Sequence, residues 1–235
     1  TTGDWSSDVC SSDLGRLALQ RLRGRSTLLI AATSGAFCTL AAWAERHADP
    51  ASAASHALRG ASFGLIIPLA TLAVVTLVFQ RHRPDDAVGC AAVLGANRRL
   101  IVVGALLATS IISAFLGLVI AALTVLVAFA RIDALVVTDL LTSAWIGALS
   151  GLGYTWYFGA ASTLGRRGGG RWLAWVFDWL FGSTLGVGAT LFPKSHLLNL
   201  LGAEPVMGLT QKQSFAALLG IAFVSAAVLV ARIRK

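Results

Sequence analysis

The sequence predicts an all-α, polytopic integral membrane protein with six transmembrane helices and cytoplasmic N and C termini. Three observations carry this. Of 235 residues, 56% are hydrophobic and only 13% are charged, and the mean hydropathy is +0.76. A soluble domain carries about 25% charged residues, so a soluble enzyme, a disordered tail and a conventional nucleic-acid binder are excluded despite a net charge of +8. Six separate runs reach the roughly 20 apolar residues that a bilayer-crossing helix needs. Basic residues gather in alternate connections between those runs, the asymmetry expected of cytoplasmic loops.

The first residues are not expected to be native. Asp4-Trp5-Ser6-Ser7-Asp8-Val9-Cys10-Ser11-Ser12-Asp13-Leu14 coincides with one reading frame of a common sequencing adapter. Residues 1–14 are therefore expected to be a translated adapter, outside the fold. Cys10 goes with them, and the isolated Cys38 and Cys90 form neither a metal motif nor an expected disulfide. Residues 15–26 place Leu17 and Leu22 among Arg16, Arg21, Arg23 and Arg25, the pattern of a basic interfacial helix lying on the inner leaflet.

Residues 27–235 form the six-span body. The first run is Thr27 to Ala44, between Arg25 and Glu45. The second is Ser62 to Gln80, with Pro68 inside it. The third, Leu100 to Ala130, contains 31 residues; at about 1.5 Å per residue that is about 46 Å, longer than the roughly 30 Å hydrocarbon core. No turn signal interrupts it, so it reads as one tilted helix that protrudes into water. The fourth run, Ala134 to Leu164, reads the same way. The fifth is Trp172 to Phe192 and the sixth Gln213 to Ala231. With the N-terminus inside, segments 1–26, 81–99, 165–171 and 232–235 are cytoplasmic and hold fourteen of the nineteen Lys and Arg residues. Trp43 at one end, and Trp172, Trp175, Trp179, Tyr154, Trp156 and Tyr157 at the other, suit interfacial belts. Glycines four apart at Gly60/Gly64, Gly147/Gly151 and Gly182/Gly186 would let backbones approach closely, within the chain or across a dimer.

Chemistry is sparse. Gly188 to Ser195 approximates the phosphate-loop spacing, but Pro193 stands where the second glycine is needed and removes a backbone donor. His47, His56, His82 and His196 lie in predicted loops without metal-ligand spacing, and no nucleophile–base set is present. No catalytic residue, metal site or cofactor is expected. Asp178 stands out, seven residues after Arg171 and about 10 Å into the fifth run. A charge at bilayer depth is a functional candidate; the alternatives are a place near the headgroups, pairing with Arg171 or Arg167, or a hydrogen bond to a neighbouring span.

Two loops are patterned. In residues 81–99, Pro84-Asp85-Asp86 is a helix-start signal. Ala87, Val88, Ala91, Ala92 and Leu94 follow as an apolar stripe, with Gly95 or Asn97 as the stop. In residues 193–212, Leu197, Leu198, Leu200 and Leu201 predict a short outer helix or re-entrant piece.

Six spans with both ends inside, a basic helix before the first and a helical loop between the second and third resemble the type-2 ABC exporter permeases. The resemblance covers residues 15–235. Its local match is VFQRHRPDDAVGCAAVLGANRRLIVVGALLA, residues 78–108. Gly95-Ala96-Asn97-Arg98-Arg99 stands where the family has a small residue and a basic pair before span three. Asp85-Asp86-Ala87-Val88 replaces the family's acidic residue with Gly-Thr, and Gly95 its proline. The resemblance implies an inner-membrane permease subunit that is no enzyme itself. It would pair with a second copy or a related permease and with separate ATP-binding cassette ATPase subunits, and bind no nucleic acid. Asp85, Asp86, Ala87, Val88, Ala91, Ala92, Leu94, Asn97 and Arg98 would form its coupling helix against the ATPase. Two readings from other classes stand beside it. One is an ATPase-independent secondary transporter or channel subunit working through Asp178. The other is a membrane anchor or assembly protein.

Overall fold

A computed structural model describes residues 24–45, 50–80, 82–88, 97–130 and 137–233. The described residues form helices and their connections, with no strand among them. Arg16, Arg21 and Arg23 of the expected interfacial helix lie outside the described residues, as does the 1–14 segment. Four helices are long and apolar enough to cross a membrane: Arg25–Glu45, Ala54–Phe79, Arg98–Ala128 and Gln211–Arg232. The protein thus has the helical, apolar make-up of a membrane protein.

Helix α1 (Arg25–Glu45) opens on Arg25 and buries Cys38 and Ala42, while most of its surface is exposed. The second rod is longer than the apolar run suggests, because the alanine- and serine-rich stretch ahead of Ser62 is also helical. It comprises α2 (Pro50–His56), a π-helical segment (Ala57–Ile66) and α3 (Ile67–Phe79). His56 therefore ends a helix and does not sit in a loop. The π segment explains how the rod passes Pro68. Proline removes one helical N–H and crowds the carbonyl one turn earlier, and the wider π turns end just before it. Gly64 belongs there, since a Cβ would lie 2.7 Å from the Arg59 carbonyl oxygen.

Helix α4 (Pro84–Ala87) is a single turn. Helix α5 (Arg98–Ala128) is one uninterrupted rod of 31 residues, the single long helix that its unbroken apolar run implies. It starts at Arg98 because Asn97 is extended and its side chain accepts from the Arg99 N–H at 3.0 Å, the usual service of an N-cap asparagine.

Helix α6 (Val137–Ala161) packs along α5 at backbone contact. A Cβ on Gly117 would lie 2.2 Å from the Gly147 carbonyl oxygen, one on Gly147 would lie 2.3 Å from that of Gly117, and one on Gly151 would lie 2.1 Å from that of Ser113. The Gly147/Gly151 pair is thus spent inside the chain. The core around this seam includes Phe63, Leu72, Leu106, Ile120, Tyr154 and Phe158.

The fifth apolar run is not one helix. Helix α7 (Gly170–Phe181) has 12 residues, about 18 Å. The chain then leaves helical geometry, makes a 3₁₀ turn at Val187–Leu191 and enters α8 (Pro193–Leu200). Gly182, Gly186 and Gly188 fall within seven residues, and each glycine disfavours a helix by about 1 kcal/mol relative to alanine. Lys194 also comes so close to Gly182 that a Cβ there would lie 2.8 Å from its Cβ. Proline at the first turn of α8 suits a helix start. Helix α9 (Gln211–Arg232) begins with a full capping box between Thr210 and Gln213, two residues before the apolar run begins.

Candidate functional site

Asp178 is 1% exposed, and its partners are not Arg171 or Arg167. The Tyr154 hydroxyl on α6 donates to Oδ2 at 2.7 Å, and the Lys194 backbone N–H donates to Oδ1 at 3.1 Å. The carboxylate therefore caps the first turn of α8 from another helix, where free N–H groups and the positive end of the helix dipole favour an anion. The Lys194 ammonium donates to the Trp179 carbonyl at 3.3 Å, which folds its charge back along α7. One buried acid thus ties three helices together at the point where the fifth run breaks. Of the sequence alternatives for Asp178, the hydrogen bond to a neighbouring helix is present. The Lys194 amide is invisible to spacing arguments because its contact with Asp178 is tertiary.

Arg171 works elsewhere. It is buried, and its Nε donates to the Gly168 carbonyl at 3.0 Å. Its Nη2 donates to the Gln80 carbonyl and reaches the His82 carbonyl at 3.5 Å. Arg83 answers from the other side, its Nε donating to the Gly165 carbonyl at 2.9 Å. These bonds clamp the connection after α3 to the turn between α6 and α7. The clamp needs a planar fork, so Arg171→Lys is expected to lower the melting temperature almost as much as Arg171→Met. An ammonium cannot reach three carbonyls in that geometry. Thermal melts of the purified variants in detergent check this, and a lysine variant that melts like the wild type would sink it.

The acidic loop lies against this clamp. Asp86 is exposed and Asp85 half-exposed, while Ala87 and Val88 pack against the core. The described part of the predicted coupling helix therefore shows its acids outward and its apolar residues inward. Ala91, Ala92 and Leu94 lie outside the described residues. Asn97 and Arg98 stand at the start of α5, with Asn97 as its N-cap; Gly95 lies outside the described residues.

The phosphate-loop lookalike is occupied by its own backbone. Ser195 Oγ donates to the Ala189 carbonyl at 2.7 Å and the Phe192 carbonyl at 2.9 Å. His196 is inside α8 rather than in a loop, buried, with Nε2 at 2.9 Å from the Thr190 carbonyl oxygen. No group of three or more metal-ligating side chains occurs among the described residues.

Cavities flank the bundle, two of them at opposite ends. The first is an apolar groove of about 470 Å³ between α6, α7 and α9, bordered by Tyr157, Leu173, Phe177, Phe192 and Val228, with Arg232 at one end. The second, at the opposite end of the bundle, is about 350 Å³ and more polar. No family model matches the chain, and no curated protein matches it.

Proposed function

We propose that this chain is the membrane-embedded permease subunit of an ATP-driven exporter of the ABC type. It works in the inner membrane as a pair with a second copy or related permease, with energy from separate ATP-binding subunits. In this reading the chain crosses six times with both ends cytoplasmic. The passes are α1, the α2–π–α3 rod, α5, α6, the broken α7–α8 pair and α9, and successive passes run in opposite directions. Arginines 166, 167 and 171 then mark the cytoplasmic end of α7, in accord with the positive-inside bias.

The observation that carries the reading is the clamp beneath the acidic loop. A partner pressing on Asp85 and Asp86 would push on a turn joined by Arg171 and Arg83 to the start of α7. The other end of α7 is joined by Asp178 to α6 and α8. Force on the loop would therefore move the broken fifth pass as a unit, which is what ATP-driven rocking requires. Asp178 is buried and hydrogen-bonded, the arrangement of a joint, and this favours the permease reading over a carrier driven through that acid.

The test is co-purification. The tagged chain, extracted from its native membrane in mild detergent, is expected to bring down a protein with a G-x-x-x-x-G-K-[ST] loop and measurable ATPase activity. Asp85→Lys/Asp86→Lys should cut its recovery at least tenfold without changing the chain's own elution. Recovery of no such ATPase from the wild type, or unchanged recovery with the lysine variant, would overturn the proposal.

A further inference from the structure

The polar cavity holds two opposite charges that do not use each other. It lies at the bundle end away from the arginine clamp, where the π-helical segment, the end of α5, the start of α6, the end of α8 and the start of α9 meet. Arg59 enters from the π segment and Asp139 from the first turn of α6. Among the described residues, Arg59 has one partner, the Leu201 carbonyl, to which Nη2 donates at 2.9 Å. Among the described residues its buried Nε has no partner, and Asp139 stands exposed at the cavity rim.

That anchoring bond alone would make Arg59 a helix-end cation, a favourable place for one. Three further features go beyond that role. The buried Nε of this half-buried guanidinium has no acceptor among the described residues, and an N–H so placed carries a desolvation penalty. The cavity's roughly 350 Å³ lies within the about 300–1,000 Å³ of small-molecule sites. Its lining pairs an apolar floor, with Leu58, Phe129 and Ile146, with a hydroxyl- and amide-bearing wall that includes Ser143 and Gln211. The carboxylate of Asp139 opposes a simple anion, and the guanidinium of Arg59 opposes a simple cation.

We propose that this cavity binds a small zwitterion, with its phosphate or carboxylate on Arg59 and its ammonium on Asp139, as a substrate subsite. The subsite assignment rests on the transport reading above, while the binding itself does not. A bound zwitterion would bridge the second and fourth passes without adding net charge to the site. The same head chemistry occurs in free solutes and in lipid headgroups.

The experiment is calorimetric titration of the purified chain in detergent, without any ATPase. The probes are glycerophosphoethanolamine, as the zwitterion, and glycerophosphoglycerol, as the anion lacking the ammonium. The zwitterion is expected to bind at least tenfold more tightly. Arg59→Gln should weaken both probes about tenfold, while Asp139→Asn should weaken only the zwitterion and so close the gap. Arg59→Gln also removes the bond to the Leu201 carbonyl, so Thr142→Phe supplies a second variant. Thr142 is exposed at the cavity wall, and its enlargement should abolish binding at an unchanged melting temperature. Competition by nanodiscs of phosphatidylethanolamine, but not phosphatidylglycerol, identifies a headgroup, and its absence identifies a free solute. Failure of the wild type to bind the zwitterion, equal affinity for both probes, or indifference to Asp139→Asn and Thr142→Phe overturns the proposal. An ATPase partner without zwitterion binding would sink this inference alone, and zwitterion binding without an ATPase partner would sink only the permease reading.

Discussion

Gly151→Val and Gly147→Val are expected to leave little folded protein. Helices α5 and α6 touch through backbone along this seam, with only 2.1 Å between a Cβ on residue 151 and the Ser113 carbonyl oxygen, and 2.3 Å between one on residue 147 and the Gly117 carbonyl oxygen. Neither obstacle is the flexible end of a side chain. Either valine must separate two long rods along much of their length, and the loss spreads to the packing of Ile120, Leu149 and Tyr154 around them. Overpacking in a well-packed core costs about 1–3 kcal/mol and occasionally more; a rigid backbone obstacle places these variants at or above the top of that range. Small residues that permit close approach are a main source of helix association in membranes. Gly104→Ala on the same α5 is the control, because nothing lies within 4 Å of its added Cβ. It should match or slightly exceed the wild-type melting temperature, through alanine's better helix propensity. Fluorescence-detected size exclusion after a heating series measures all three. Valine variants that survive to the wild-type temperature would mean that the seam is loose.

What the sequence made legible follows from which interactions are local. The length of α5 was readable because 31 residues with no proline and only scattered glycines leave one helix as the simplest outcome. The glycine pair at 147 and 151 announced close packing, but not whether the neighbour lay in the same chain. Spacing records the face of one helix and says nothing of what covers it. Hydropathy joined Trp172 to Phe192 because an average over apolar residues is blind to conformation. The three glycines between Gly182 and Gly188 were the local signal for a break, and the Lys194 amide bonded to Asp178 is the tertiary contact that holds it. Arg171 and Asp178, seven residues apart, fall two turns apart along one helix, which made a pair plausible. In the fold, Arg171 turns to the carbonyls that end α3, and Asp178 turns to Tyr154 and α8. That Arg59 and Asp139 share a cavity was not legible at all, since 80 positions separate residues that only the bundle brings together.

The second large effect is expected at Asp178. Asp178→Leu leaves the Tyr154 hydroxyl and the Lys194 N–H buried without an acceptor. At about 1–3 kcal/mol for each orphaned group, the variant should lose roughly 2–6 kcal/mol, and α8 should loosen from α7. Tyr154→Phe removes one donor from a buried carboxylate, and hydrogen bonds to charged groups contribute about 1.5–3 kcal/mol. The double variant should be less destabilised than the sum of the two, because the bond lost in each is shared. Additive losses would mean that Tyr154 and Asp178 act apart, against the 2.7 Å contact. Asp178→Asn separates the joint from a transport role for the charge. An amide oxygen still accepts from the Lys194 N–H, while its NH₂ can donate to the Tyr154 oxygen, so shape and bonds survive and only the charge is lost. If Asp178→Asn melts near the wild type and keeps full ATPase-coupled transport, Asp178 is the joint that the geometry describes. If it folds as well but transports nothing, the negative charge itself is required, and a carrier working through Asp178 displaces the permease reading.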